Sequence, residues 1–261
     1  MLDTLLVAER LAMTFPAGSG DLEALAEASL TVQRGEFVCL LGPSGCGKST
    51  LLSILGGLLT PTAGQVYFDG RPLRQPQQRI AYVFQKANLM PWRTALENVS
   101  LPLEVRRVPR PEAIRRAREM LHLVGLAGFE QSYPRSLSGG MEQRVAIARA
   151  LVQGADLLLL DEPFGALDAL TREQLNEELL RIWRTQGKTI IMVTHSIPEA
   201  IFLADRILVL TSRPGHLALE VKVELPRPRS LDTWASPEHA RLARCLRQAI
   251  RTGNGETAAD G

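Results

Sequence analysis

The chain has 261 residues, of which 45% are apolar and 22% charged, as in an ordinary globular protein. Its 30 basic and 28 acidic side chains leave a formal net charge of +2. That charge is too small to argue for nucleic acid or an anionic membrane as a partner. Three scattered cysteines argue against a disulfide framework or a zinc site. No apolar run approaches the roughly 20 residues that cross a bilayer, so we expect any membrane role to go through a partner.

The predicted elements alternate between strands and helices. Short alternating segments in residues 5–38 predict an antiparallel sheet at the N-terminal edge. Apolar runs without alternation predict buried parallel strands at 37–41, 80–84, 157–160, 189–193 and 207–210. Segments with helical period lie between these runs, so we expect an α/β fold in which helices pack on a mainly parallel sheet.

Two stretches depart from this alternation. Residues from about 86 to 153 contain helix-period segments, prolines and loops, and predict an α-helical subdomain inserted in the sheet domain. After residue 225 the composition changes to Pro226, Arg227, Pro228 and Arg229, which breaks regular structure. We therefore expect one domain at 1–225 and a short C-terminal tail at 226–261, in which residues 237–251 can form one helix.

A glycine-rich segment directly follows the strand predicted at 37–41. It consists of Gly42, Pro43, Ser44, Gly45, Cys46, Gly47, Lys48, Ser49 and Thr50. The pattern G-x-x-x-x-G-K-[ST] between a strand and a helix predicts a phosphate-binding loop. Its glycines let successive N–H groups point at one anion, and the helix adds its positive end. Lys48 supplies a positive charge for the β- and γ-phosphates. Ser49 offers a hydroxyl to Mg²⁺, and Thr50 can donate a hydrogen bond to the α-phosphate. This loop alone does not separate ATPases, GTPases and small-molecule kinases.

Two adjacent acidic residues end the strand predicted at 157–160. Asp161 lies at the carboxyl end of the strand, where ligands bind in open α/β sheets, and is the expected Mg²⁺ partner, directly or through water. Successive strand residues alternate in direction, so we expect Glu162 to face elsewhere and to polarise an attacking water.

A second anion-binding helix start is predicted at Ser138, Gly139 and Gly140, which precede an apolar, Ala-rich segment. One ATP has no need for two such helix starts in one chain. The simplest arrangement is a head-to-tail pair of subunits in which each closes the site of the other.

With these motifs in this order, residues 5–225 resemble the ATP-binding cassette (ABC) ATPases, and the fold implied is a P-loop (RecA-like) core. The resemblance implies that Phe15 stacks on adenine, that residues 137–144 are the signature motif and that residues 164–168 are the D-loop. It implies that Gln85 senses Mg²⁺ and the transporter, and that the switch histidine His195 contacts the γ-phosphate. The implied catalytic residues are Glu162, His195 and Gln85, and the implied Mg²⁺ ligands are Ser49, Gln85 and Asp161. Met141 replaces the Gln most often found in the signature, so we expect weaker contacts near ribose but retained activity.

Residues 88–99 and 203–215 resemble the importer branch that handles nitrate, sulfonates, taurine and pyrimidine precursors. The resemblance implies an ATP-hydrolysing importer subunit that pairs with a second copy of itself and docks on integral membrane permease subunits. It further implies an indirect partnership with a solute-binding protein, a peripheral location on the cytoplasmic side of the membrane, and no nucleic-acid partner. The alternatives that remain are an exporter ATPase, a non-transport ABC ATPase and a soluble kinase.

Overall fold

A computed structural model describes residues 3–16, 18, 20–230, 233–234 and 236–253. Its elements in chain order are β1 Thr4–Phe15, β2 Leu22–Gln33, β3 Phe37–Leu41, α1 Lys48–Leu55, β4 Ala63–Phe68, β5 Arg71–Pro72, β6 Ile80–Val83, α2 Ala95–Val105, α3 Arg110–Leu123, a 3₁₀ turn Pro134–Ser136, α4 Gly139–Leu151, β7 Leu157–Asp161, α5 Ala169–Gln186, β8 Thr189–Thr194, α6 Ile197–Leu203, β9 Arg206–Leu210, β10 Leu217–Lys222 and α7 Pro237–Gly253. The chain divides into two compact units, one of Met1–Gln77 with Thr189–Gly261 and one of Gln78–Lys188.

The first unit contains an antiparallel sheet at its N-terminal side. Strands β2, β1, β4 and β5 follow one another in that order, and each pair is antiparallel. Along β2 the buried residues Ala28, Leu30 and Val32 alternate with the exposed residues Ser29 and Thr31. This alternation is expected of a sheet with one covered face, and it confirms the predicted antiparallel edge sheet.

The same unit contains the strands that precede the glycine-rich loop. Strand β3 pairs in parallel with β8 on one side and with β9 on the other, and β10 extends this group antiparallel to β9. All five residues of β3 are buried, as are all six of β8. Two covered faces favour apolar residues at every position, which explains why these strands were visible in the sequence as continuous apolar runs.

The second unit combines a parallel strand pair with four helices. Strands β6 and β7 are parallel, and α2, α3, α4 and α5 belong to the same unit. Helix α2 begins with a capping box in which Thr94 and Glu97 each accept a hydrogen bond from the other's backbone N–H. The predicted helical segment 86–153 lies within this unit and contains α2 to α4. No helix in the described part of the chain is long and apolar enough to span a membrane.

The C-terminal segment that follows β10 is anchored to the first unit by arginines. Arg229 is 7% exposed and donates to the carbonyls of Ile201, Phe202 and Ala204 at 3.0, 3.0 and 2.7 Å, at the end of α6. Burial lowers the pKa of its guanidinium to about 10, so it remains charged at neutral pH. A cation at the carboxyl end of a helix is favourable. Helix α7 follows this anchor and contacts α6 and β9.

Candidate functional site

The glycine-rich loop lies between β3 and α1 in the first unit. Gly45 has φ 75° and Gly47 has φ 93°, a left-handed conformation that favours glycine. The N–H of Leu51 donates to the Gly47 carbonyl at 2.8 Å, so the helical ladder begins there. The N–H groups of the first turn of α1 lie outside that ladder. Left-handed glycines followed by a helix start form a concave set of N–H donors suited to phosphate.

Gly42 serves the loop in a different way from the one predicted. It has no positive φ, but a Cβ atom there would lie 2.7 Å from the Leu210 carbonyl oxygen and 2.9 Å from Cys46 Sγ. Only glycine fits at this position, because β9 packs against the start of the loop and leaves no room for a side chain. The glycines at 45 and 47 supply the backbone curl that we predicted for all three.

Lys48 points its ammonium into the loop. The residue is 5% exposed, and Nζ donates to the carbonyls of Gly42 and Pro43 at 2.9 and 2.8 Å. A buried ammonium needs such acceptors. Cys46 lies beside it, with Sγ 3.8 Å from Nζ. Burial raises the pKa of the Cys46 thiol, and the Lys48 charge opposes that rise.

Two further residues of the proposed site belong to this unit. Phe15 is the last residue of β1 and is half-buried, so part of its ring is accessible for stacking. His195 directly follows β8 and is exposed. Parallel strands β3 and β8 run side by side, with Leu41 opposite Thr194. Their carboxyl ends therefore place the loop and His195 on the same edge of the sheet.

A buried network holds the turn that carries His195. The Thr194 hydroxyl donates to Glu199 Oε2 and accepts from the Ser196 N–H at 3.0 Å. Thr194 and Glu199 are 2% and 4% exposed. These bonds bracket His195 and fix the backbone on both sides of it. Sequence reasoning missed Glu199. The Ser196-x-x-Glu199 spacing indicates a capping box, but here the carboxylate bonds Thr194 instead.

We expect Glu199→Ala to lower kcat for ATP about tenfold with little change in KM, because the His195 turn loses its anchor. Glu199→Gln should restore most of kcat, since an amide oxygen can still accept from Thr194. Steady-state ATPase assays, with urea unfolding to measure stability, check this. An Ala variant with the parental kcat would contradict the role of Glu199, and equal losses in Ala and Gln would point to the charge instead.

In the second unit, β7 ends at Asp161 and the chain turns at Glu162. Asp161 Oδ2 lies 3.3 Å from the Tyr82 hydroxyl that donates to it. Glu162 has φ 44°, a left-handed conformation that costs a residue with a side chain about 1–3 kcal/mol. The direction of Glu162 is therefore set by this turn, and the predicted reason, strand alternation, is wrong. Gln85 Nε2 donates to Glu162 Oε2 at 3.3 Å, so two of the three implied catalytic residues lie together.

The signature residues begin α4 in the same unit. Ser138 is its N-cap, and Ser138 Oγ accepts from the Met141 N–H at 3.3 Å. Gly139 is exposed and Gly140 is buried. A Cβ on Gly140 would lie 3.1 Å from Thr171 Cγ2, whereas one on Gly139 would make only an ordinary contact with Leu167. A side chain at Gly140 would thus be crowded by a residue of the same subunit, whereas Gly139 faces outward.

Helix α4 also holds the segment around Gln85. Gln143 Nε2 donates to the Phe84 carbonyl at 3.2 Å, and Arg149 donates to the carbonyls of Ala87 and Asn88 at 2.7 and 2.9 Å. Neither side chain was singled out from the sequence, because a polar residue on an amphipathic helix gives no sign of a distant carbonyl partner. A shift of α4 would be transmitted through these bonds to both flanks of Gln85.

A buried parallel strand that enters a left-handed glycine loop and a helix defines a P-loop nucleotide-binding α/β protein. Comparisons with known proteins are more specific. The ABC transporter family profile matches residues 25–165. A nitrate import ATP-binding protein of Synechococcus elongatus is 45% identical over 91% of this chain and 87% of its own. An aliphatic sulfonates import ATP-binding protein of Bacillus licheniformis is 46% identical over 83% and 84%.

A solved structure agrees with these relatives. The dimeric ATP-binding cassette MJ0796, in a post-hydrolysis state with ADP and Pi, superposes with a TM-score of 0.75. It is 37% identical, and the match covers 85% of this chain and 100% of that one. The chain belongs to the ABC transporter family. Its predicted cassette fold, its ATPase activity and its assignment as an importer ATPase are confirmed by these similarities.

Proposed function

We propose that this chain hydrolyses ATP to drive uptake of a small solute, of the nitrate, sulfonate, taurine or pyrimidine-precursor type. Separate membrane-spanning subunits carry the solute. The observation that supports ATP binding most directly is the loop of residues 42–50, in which left-handed glycines and the start of α1 present N–H groups to phosphate. The relatives named for nitrate and aliphatic sulfonates support the class of solute.

In this proposal the first unit binds the nucleotide. Phe15 stacks on adenine, and the loop from Gly42 to Thr50 wraps the phosphates. Lys48 Nζ exchanges its carbonyl acceptors for oxygens of the β- and γ-phosphates, which are stronger acceptors. His195 donates to the γ-phosphate, and the Thr194–Glu199 network fixes the turn from which it does so.

The residues proposed to hold Mg²⁺ have suitable chemistry. Ser49 offers a hydroxyl, Asp161 a carboxylate and Gln85 an amide oxygen, and Mg²⁺ prefers such oxygen ligands together with phosphate oxygens. The Gln85 amide nitrogen donates to Glu162, so its oxygen is the atom that can ligate a cation. Bound Mg²⁺ would neutralise charge on the β- and γ-phosphates.

We propose that Glu162 is the general base. Its carboxylate accepts a hydrogen bond from the attacking water and takes its proton as the water oxygen bonds to the γ-phosphorus. The bond from the γ-phosphorus to the β–γ bridging oxygen breaks in the same step, so that ADP and inorganic phosphate leave. The hydrogen bond from Gln85 orients the carboxylate. The left-handed backbone at Glu162 supports this role, because strained residues persist where their direction is needed.

The catalytic unit in this proposal is a dimer of two copies. Ser138, Gly139 and Gly140 at the start of α4 contact the γ-phosphate held by the loop of the other copy. ATP then joins the copies because it contacts both, and hydrolysis removes that link. The dimeric state of the similar cassette supports this arrangement.

The partner proposed for the second unit is an integral membrane permease. A cavity of about 780 Å³ opens in this unit beside Trp92, Leu96, Val108 and Ile114, and Trp92 is 71% exposed. A groove of this size that combines apolar and charged walls suits a short permease helix. The chain would then lie on the cytoplasmic face of the membrane. A solute-binding protein would deliver the solute on the opposite side.

A reconstitution experiment tests this proposal. Permease subunits that copurify with the chain are placed in proteoliposomes with their binding protein, and ATPase activity is measured with nitrate, taurine, an alkanesulfonate or a neutral sugar. We expect one of the nitrogen- or sulfur-containing solutes to stimulate turnover severalfold, with solute uptake, and the sugar to have no effect. The Glu162→Gln subunit serves as the matched inactive control. Failure to capture any membrane subunit, or stimulation by the sugar alone, would contradict the proposal.

A further inference from the structure

A tight turn between β9 and β10 lies against the phosphate loop. The Thr211 N–H donates to the His216 carbonyl at 3.1 Å, and Thr211 Oγ1 lies 2.9 Å from His216 Nδ1, so the turn is closed at its base. Its tip consists of Ser212, Arg213, Pro214 and Gly215. In the sequence this segment indicates only a branch of the family.

Arg213 bonds directly to the loop. Its Nε and Nη2 atoms both donate to the Gly45 carbonyl oxygen, at 3.3 and 3.0 Å, across 168 positions of sequence. In a trans peptide the carbonyl and the following N–H point in opposite directions. The guanidinium that holds the Gly45 carbonyl outward therefore turns the N–H of Cys46 toward the interior of the loop. That N–H donates a long hydrogen bond, 3.4 Å, to the Pro43 carbonyl.

Gly215 supports the next peptide of the loop. A Cβ atom at Gly215 would lie 2.0 Å from the Cys46 carbonyl oxygen, so only glycine allows the turn to approach this closely. The Gly215 N–H donates to the Ala24 carbonyl at 3.1 Å, and its carbonyl accepts from the Ala26 N–H at 3.0 Å. The turn is thus fastened to β2 on one side and meets the loop on the other.

We propose that Arg213 is a positioning residue for ATP, which acts by fixing the Gly45–Cys46 peptide in the orientation that presents its N–H to phosphate. Gly215 holds the turn at the distance that this bond needs. Preorganised donors bind an anion more tightly, because the loop does not have to be ordered when the ligand arrives. The inference rests on the proposed role of residues 42–50 as the phosphate-binding loop.

The test uses Arg213→Met, Arg213→Lys and, as a matched control, Arg241→Met on the exposed face of α7. All are made in a Cys245→Ser background, because Cys245 is exposed whereas Cys39 and Cys46 are buried. ATP affinity and steady-state kinetics are measured for each variant. The rate at which a thiol reagent modifies Cys46 without nucleotide reports the rigidity of the loop.

We expect Arg213→Met to raise Kd and KM for ATP about five- to tenfold, with kcat within twofold. Cys46 modification should be severalfold faster in this variant, and Arg213→Lys should be intermediate, because it keeps the charge but loses the two-pronged donor. Arg241→Met should match the parent. The inference is overturned if Arg213→Met matches Arg241→Met in either affinity or labelling rate. Lys48→Met tests the loop itself: undiminished ATP binding there would refute the loop assignment, whatever Arg213→Met shows.

Discussion

Glu162→Gln should abolish ATP turnover while ATP binding is retained. The exchange keeps the size of the side chain, and the amide oxygen can still accept from Gln85 Nε2, which lies 3.3 Å from Glu162 Oε2. Only the basicity is lost. General-base catalysis contributes about 10²- to 10⁴-fold, so we expect kcat to fall at least about a hundredfold. Since hydrolysis would no longer separate the subunits, ATP should accumulate in a stable dimer.

Three measurements check this expectation: phosphate release, ATP affinity by equilibrium dialysis, and ATP-dependent dimerisation by size-exclusion chromatography. Glu119→Gln is the matched control, because Glu119 makes an exposed ion pair with Arg115 on α3 that contributes little. Glu162→Asp retains a carboxylate but withdraws it by one methylene, and should show intermediate turnover. A Gln variant with kcat within threefold of the parent would show that another group is the base.

The strands around the loop could be predicted from the sequence because they are covered on both faces. Residues 37–41 form β3 with the predicted bounds, and the run predicted at 80–84 forms β6 at Ile80–Val83. Such strands consist of continuous runs of apolar residues because every position in them is buried. The proposed phosphate loop could also be recognised from the sequence. A phosphate-binding loop is built from consecutive residues, so its pattern is local.

The features that escaped prediction depend on residues far apart in the sequence. Gly42 is required by a carbonyl at Leu210, and the Gly45 peptide is held by Arg213. Neither pair of contacting residues produces a periodic pattern in the sequence from which the contact could be predicted. The left-handed turn at Glu162 was also missed, because a non-glycine residue in that conformation has no sequence signature. The sequence therefore indicates which groups are candidates for the chemistry, and the distant contacts explain how those groups are held.

A second large effect is expected if each ATP site is shared between two copies of the chain. Substitution of Gly139 tests this arrangement. Gly139→Asp places a carboxylate at the start of α4, where it is favourable for the helix and where a Cβ meets only an ordinary contact with Leu167. The same charge would repel the γ-phosphate bound to the other copy. We expect the Asp variant to fold normally and to lose at least about 90% of its turnover. Gly139→Asn should lose much less. Substitution of Gly140 would be a poorer test, because Thr171 crowds that position.

A mixture of two inactive variants then decides whether the site is shared. Lys48→Met disables the loop and leaves α4 intact, whereas Gly139→Asp disables α4 and leaves the loop intact. If each site combines the loop of one copy with α4 of the other, a mixed dimer has one site with both defects and one with none. Random pairing makes about half the dimers mixed, so turnover should reappear on mixing and rise with the mixed fraction. If both motifs acted on ATP within one chain, every chain in the mixture would carry a defective site. Mixing would then restore no ATP turnover. That result would contradict a site that combines the loop of one copy with α4 of the other.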